Sequence, residues 1–395
     1  MAEAARHLDG PAHRMLSDRH RKSWGDLYAT DIDTLVDRKV LVERPAGDWS
    51  RTSGKGDVAG LGSAQFLSLN RNKRDIGLDV STPAGRAIVE RLIGRADVVL
   101  SNYRAGVMDK LGLSYERCRV LRPDIVYCTV SGFGRTGPYA QRPASDTIMQ
   151  AMSGVMSLVG EPDGPPLRVG FPLIDMAAAN YAVQAILLAL YGRRDGHGGA
   201  DIDVSLMAAA HGLMNSQVTG FLASGQMPMR QGNQNSTLAP AGAYRTADGR
   251  FISIAILRDE HWRKLADALD LGALVDDPRF VTNADRVRNR AALDEVLNPI
   301  FAAVAAEDLL ARLRKADILC GPINTVADAV ADPALGGVLP MIDPGVEGVE
   351  RVIGTPIRFN GEFFSADTPA PRKGEHTREV LSEIGYTGAE ITRFL

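Results

Sequence analysis

Between residues 67 and 204 the chain alternates short β-branched runs with longer stretches of helical periodicity. Residues 75–80 (DIGLDV) read as a strand, and Thr82 with Pro83 opens a helical stretch, 85–94, with apolar positions at Ile88, Leu92 and Ile93. A second apolar run, 97–100 (DVVL), ends at the polar pair Ser101–Asn102. A third, 125–130 (IVYCTV), ends in a glycine-rich turn. Strands alternating with helices predict an α/β fold in which a parallel sheet is covered on both faces. Ligands of such sheets sit beyond the carboxyl ends of the strands, so 102–103 and 131–138 fall where a site is expected.

From about 225 to 330 the texture changes. Residues 251–256 (FISIAI) read as a strand after the turn Ala247-Asp248-Gly249, followed by alanine- and charge-rich helical segments at 259–269, 291–305 and 306–315. The pattern predicts a smaller α+β domain at 225–330. The tail, 351–364 and a helix from about His376, returns to the earlier style, so the large domain (1–215) is expected to be completed by 340–395.

With 395 residues, 45% apolar and 24% charged, the chain is long enough for two domains and is globular rather than disordered. A net charge of -3 supplies no broad basic field, so nucleic acid is not an expected partner. No apolar run reaches the roughly 20 residues of a membrane span; residues 182–190, followed by Arg193 and Arg194, read as a core helix. Three cysteines without metal-binding spacing suit a reducing compartment, and a cytoplasmic protein without a metal site or membrane partner is expected.

Three tracts carry candidate chemistry. Residues 66–74 (FLSLNRNKR) concentrate Asn70, Arg71, Asn72, Lys73 and Arg74 before a strand. Such groups suit a phosphate, while on composition alone a solvated loop preceding the strand is the preferred account. Residues 131–138 (SGFGRTGP) hold three glycines, which let backbone N–H groups approach a ligand, although neither the Walker nor the dinucleotide spacing is met. In 168–175 (RVGFPLID), Pro172 and Asp175 head a long stretch of small and apolar residues. An acid at a helix start is an N-cap in the plain structural reading. Held near backbone N–H groups, it would also stay ionised and serve as a nucleophile. Spacing does not separate the two.

At these residues the sequence resembles the class III CoA-transferase family (formyl-CoA transferase, carnitine CoA-transferase and relatives, with α-methylacyl-CoA racemase as a side branch). The matching motifs run in the family order: Val42-Glu43-Arg44-Pro45, LNRNKR at 69–74, SNYRAGVMDKLG at 101–112 and VSGFGRTGPYAQR at 130–142. QAMSGVMSLVGEPDG at 150–164, residues 168–175, GGADIDVSL at 198–206, Gly242-Ala243-Tyr244 and Gly321-Pro322-Ile323-Asn324 follow. The resemblance covers roughly residues 40 to 395. It implies a large Rossmann-like domain with a parallel sheet and a smaller domain, two chains interlocking as a ring-like homodimer. It implies CoA and acyl-CoA as substrates, with no tightly bound cofactor. It maps the family's nucleophilic aspartate onto Asp175 and CoA contacts onto Arg44, Asn70, Arg74, Asn102, Tyr103, Arg104 and Lys110.

The implied reaction transfers CoA from an acyl-CoA to a carboxylic acid through an aspartyl anhydride and an aspartyl-CoA thioester. Backbone N–H groups of the 131–138 turn are the expected oxyanion donors. The pattern is nearest to members that use succinyl-CoA and a dicarboxylate acceptor, and Arg142, Arg168 and Arg258 are candidate partners for the distal carboxylate. One alternative is a racemase or epimerase, which needs an acid/base on each face of the α-carbon. That branch places a His-Asp pair where this chain has Ser145-Asp146, and no histidine lies between His20 and His197. Asp146 is left as a supporting carboxylate. The other alternative is a non-catalytic CoA-binding subunit, motivated by an unusual segment 1–42. There Leu8-Asp9-Gly10-Pro11 is followed by 31 residues before Glu43. After 251–256, Leu257-Arg258-Asp259-Glu260 stand where several relatives carry a glycine-rich flap.

Overall fold

The computed structural model describes residues 40–52, 57–58, 60–363 and 368–394. The unusual N-terminal stretch lies outside the described residues, apart from its last three positions. The chain divides into two compact units: one runs to Val155 and includes Val169–Ser224 and Gly336–Leu395, and the other comprises Met156–Arg168 and Gly225–Leu335.

In the larger unit, β1 (Val40–Glu43) leads through helix α1 (Ala64–Leu69) to β2 (Arg74–Gly77), which pairs with it in parallel. The expected strand 75–80 stops early because the Asp79 carboxylate turns the chain onto Ser81, and Thr82 caps helix α2 (Pro83–Ile93). Strand β3 (Val98–Ser101), helices α3 (Val107–Lys110) and α4 (Tyr115–Leu121) and strand β4 (Val126–Ser131) follow. After α5 (Asp146–Met152), the short α6 (Val155–Leu158), whose residues beyond Val155 belong to the smaller unit, and the long α7 (Leu173–Arg194), β5 (Ala200–Ser205) joins β4, giving a parallel order β3-β4-β5. Helices α8 (Leu206–Leu213) and α9 (Asn215–Ser224) complete this stretch.

The expected parallel pairing is present as a two-stranded and a three-stranded piece. Side chains alternate along β4. Val126, Cys128 and Val130 pack under Ala178, Ala182 and Ile186 of α7, while Ile125 and Tyr127 meet Ile93, Leu113 and Cys118 on the opposite face. Both faces are therefore covered, which is why β4 is buried along its whole length.

At 22 residues α7 is longer than the sequence pattern suggested. By length and composition alone it is long and apolar enough to cross a membrane. Here its alanines lie against the sheet, while Leu188 and Tyr191 remain exposed.

The smaller unit is an antiparallel sheet of β6 (Ala241–Arg245), β7 (Phe251–Ala255) and β8 (Leu319–Pro322). Helices α10 (Asp259–Ala268), α11 (Asn283–Arg288), α12 (Arg290–Ala302), α13 (Ala306–Lys315) and α14 (Val326–Ala331) accompany it. Ile252 and Ile254 pack against Trp262, Leu297, Phe301 and Leu309. Arg286 is fully buried here, with three backbone carbonyls and Asp259 as partners.

The chain's end returns to the larger unit. Val380 and Leu381 of α15 (Thr377–Glu383) and Ile391 of α16 (Gly388–Phe394) pack on Ile76 and Ile88.

Candidate active site

The first turn of α7 leaves backbone N–H groups without helical partners, and its N-cap residue, Pro172, offers no side-chain acceptor. The acceptor comes from α5. Asp146 Oδ1 receives the N–H of Ile174 at 2.7 Å and that of Asp175 at 3.3 Å. One turn along α5, Gln150 donates from Nε2 to Asp146 Oδ2 at 2.6 Å and to the Phe171 carbonyl at 3.3 Å. Gln150 Oε1 accepts the N–H of Val169 at 2.9 Å. Both side chains are buried, with exposures of 8% for Asp146 and 0% for Gln150.

This settles which acid caps the helix. Asp175, the third residue of α7, is not the cap, since Asp146 fills that role from another helix. The Asp175 carboxylate has no hydrogen-bond or ion-pair partner among the described residues. The helix start does not keep its pKa in the ordinary carboxylate range. Protein packed around the carboxyl group and, secondarily, the Asp146 charge push its pKa up to about 6, although the residue as a whole is exposed to solvent.

The glycine turn after β4 is tied to this region. Gly132 runs so close to Ala144, two residues before Asp146, that a Cβ on it would lie 2.2 Å from the alanine methyl. Gly134 and Gly137 have φ of +85° and +90°, the left-handed region that favours glycine. Two of the amides expected to serve as oxyanion donors are already engaged. Gly134 N–H donates to Ser131 Oγ at 3.1 Å and Arg135 N–H to Asp203 at 2.9 Å. The Arg135 side chain pairs with Asp201 at 2.8 Å. Further along, the Arg142 guanidinium stacks 3.8 Å over Tyr139, whose ring meets Phe133 edge-on.

The expected CoA contacts fall into two groups. Arg44, Asn102, Tyr103, Arg104 and Lys110 are exposed, and Tyr103 is 53% accessible. Tyr103 and Arg104, beyond the end of β3, line a cavity of about 200 Å³ with Tyr115, Tyr127, Thr129 and Arg135. Arg44 follows β1, with Nε on the Gly47 carbonyl at 3.3 Å.

Asn70 and Arg74 point elsewhere. Asn70 is 2% exposed, donates to the Phe66 carbonyl at 3.0 Å and accepts from the buried Lys73 ammonium at 2.9 Å. Arg74 pairs with Glu379 and Glu383 at 2.9 and 2.8 Å. The Lys73 charge is buried and needs a partner, so Asn70 is held by the protein's own electrostatics. Much of the 70–74 tract thus joins the front of the chain to its end.

Sequence reasoning missed two groups. Gln150 appeared only as the first letter of a motif, though Asp146 and Gln150 stand four apart on a helix, the spacing of facing side chains. The second is a buried cluster in which Arg51 meets Glu43 at 2.9 Å and Asp75 at 3.5 Å. Burial, more than the neighbouring Glu43, raises the Asp75 pKa. Among the described residues, no group of three or more His, Cys, Asp or Glu is placed to hold a metal ion.

Residues 40–377 match the family model described as CoA-transferase family III. The chain is 35% identical over 391 residues to a succinate–glutarate CoA-transferase of Agrobacterium fabrum, covering 97% of this chain and 94% of the relative. It is 36% identical over 369 residues to an acetyl-CoA:oxalate CoA-transferase of Acetobacter aceti, covering 93% of each. A solved structure of a CaiB/BaiF family protein from Brucella suis superposes with a TM-score of 0.81. It is 38% identical and covers 92% of this chain and 95% of the other.

Proposed function

The chain belongs to CoA-transferase family III, and we propose that it carries CoA from succinyl-CoA to a dicarboxylate with Asp175 as nucleophile. The observation that carries this reading is the unpartnered Asp175 carboxylate at the start of α7, relieved of capping by Asp146. With its pKa near 6 the group is mainly ionised at neutral pH, and it is more basic than an ordinary carboxylate, hence a better nucleophile.

An Asp175 oxygen attacks the thioester carbonyl, the C–S bond breaks, and CoA leaves as thiolate. The thiolate then attacks the Asp175 carbonyl of the mixed anhydride, releasing the donor acid and leaving an aspartyl-CoA thioester. The acceptor carboxylate repeats the exchange: it displaces the thiolate to form a second anhydride. The thiolate attacks that anhydride at the acceptor carbonyl, freeing Asp175. No proton or reductant is consumed, and the thioester energy is conserved provided water is kept out.

The substrate class rests on relatives named for glutarate and oxalate, both dicarboxylates. Arg142, stacked on Tyr139, is the preferred cation for the distal carboxylate, since Arg258 is paired with Glu260. Arg44, Asn102, Tyr103, Arg104 and Lys110 are the proposed CoA contacts. A Rossmann-like large domain and an interlocked homodimer complete the reading; exposed Leu188, Tyr191, Phe221 and Leu222 offer apolar surface to a second copy.

The test incubates wild type and Asp175→Ala with succinyl-CoA and glutarate. Wild type is expected to form glutaryl-CoA and to carry CoA covalently at Asp175, located by mass spectrometry after borohydride reduction. Undiminished transfer by Asp175→Ala would overturn the assignment, and α-proton exchange without transfer would redirect it to a racemase.

A further inference from the structure

We propose that Asp146 is a positioning residue for the transfer reaction. Fixed by Gln150, it holds the first turn of α7, aims the Asp175 carboxylate and keeps that group free of its own helix. The inference rests on the assignment of Asp175 as nucleophile and extends it to a second carboxylate that touches no substrate.

Asp146 is committed at every oxygen. Oδ1 takes two amides of the turn that carries Asp175, and Oδ2 takes the Gln150 amide. Gln150 in turn holds the 169–171 segment on both sides, through the Val169 N–H and the Phe171 carbonyl. The entry to α7 is thereby fastened to one buried surface of α5.

Geometry alone would be served by serine or asparagine, the ordinary neutral caps. A buried carboxylate adds negative charge. That charge complements the positive end of α7 and is felt by Asp175, whose pKa it helps to raise. The other ionisable groups on elements packed against α7 bring no free charge to Asp175: on β4, burial pushes the Cys128 thiol up to about 12 and the Tyr127 hydroxyl donates to the Leu113 carbonyl. His211 of α8 bonds through Nδ1 to the Met207 carbonyl, and Asp201 and Asp203 of β5 face Arg135. On α7 itself, Arg193 and Arg194 lie at the far end.

The test uses the full chain with Asp146→Asn and Asp146→Ser, which keep a cap acceptor and remove the charge. Two quantities are read against pH: the rate of CoA attachment to Asp175, and the ¹³C carboxyl titration of Asp175, identified by its loss in Asp175→Asn. Wild type should titrate near 6. Each variant should titrate lower by roughly half a unit or more, with plateau attachment about tenfold slower at unchanged KM.

Slower attachment with lowered thermal stability and no change in the titration would reduce Asp146 to a structural cap and overturn the inference. An Asp175 carboxyl titrating near 4 in wild type would overturn it without any variant, should both fail to fold. If wild type attaches no CoA while the titration still shifts, the nucleophile assignment has failed and the coupling between the two aspartates has not.

Discussion

Replacing Gly132 by alanine tests whether the glycine turn and the capping helix form one unit. The added Cβ would sit 2.2 Å from the Ala144 methyl, where ordinary contact begins at 3.4 Å. A methyl on alanine has no rotamer by which to retreat, so backbone must move by about 1 Å. Overpacking of this kind costs about 2 kcal/mol. In a unit of this size that lowers the melting temperature by about 5 °C. The displaced segment leads directly to Asp146, two residues on, and so to the turn that carries Asp175. A misplacement of about 1 Å near reacting groups costs on the order of 10²-fold in rate. Succinyl-CoA to glutarate transfer and a thermal melt are the assays. Adding Ala144→Gly should restore most of both losses, because the next atom, Ala144 Cα, lies at 3.7 Å, within ordinary contact range. A Gly132→Ala protein with wild-type rate and stability, or a double variant no better than the single one, would refute the reasoning.

The remaining expectations are briefer. Transfer should fall along an acid limb centred near pH 6, where Asp175 takes up a proton; a limb near 4 would contradict the raised value. Asp75 has a folded pKa above its unfolded one, so its contribution to stability is complete below the ordinary carboxylate range and lost as pH rises through the raised value. Asp75→Asn should therefore flatten the decline in melting temperature between about pH 4 and 8, and an unchanged slope would count against it. Arg286→Met removes the donor from three backbone carbonyls, two of them in fully buried bonds, and should cost about 3 kcal/mol in urea unfolding followed by tryptophan fluorescence, since the guanidinium sits 5.4 Å over Trp262. Arg142→Ala should raise the KM for a dicarboxylate about tenfold and leave that for a monocarboxylic acceptor unchanged; an equal effect on both would remove Arg142 from the distal site.

The sequence by itself determined the alternation of strands and helices, most element positions to within a few residues, and the candidacy of Asp175. These are local properties, since the periods of strand and helix are readable within a short window. Strand β2 ended before its expected limit because a turn built on Asp79 and Thr82 outweighs the apolar character of Leu78 and Val80. The exposed positions Asn102, Tyr103 and Arg104 were legible for the same reason, since the end of a parallel strand places them at a sheet's edge.

Only the tertiary structure decided which polar groups are free. Asp146 reaches Ile174 across 28 positions and Arg74 reaches Glu379 across 305, separations over which spacing carries no information. A basic tract and a helix-start acid look alike whether they face a ligand or a buried partner. The cost of leaving a charge or an amide unpaired inside protein decides between these, and that cost exists only once the chain has brought distant residues together. Folding buried Asn70, paired Arg74 with Glu379 and Glu383, gave the cap of α7 to Asp146, and left the Asp175 carboxylate free.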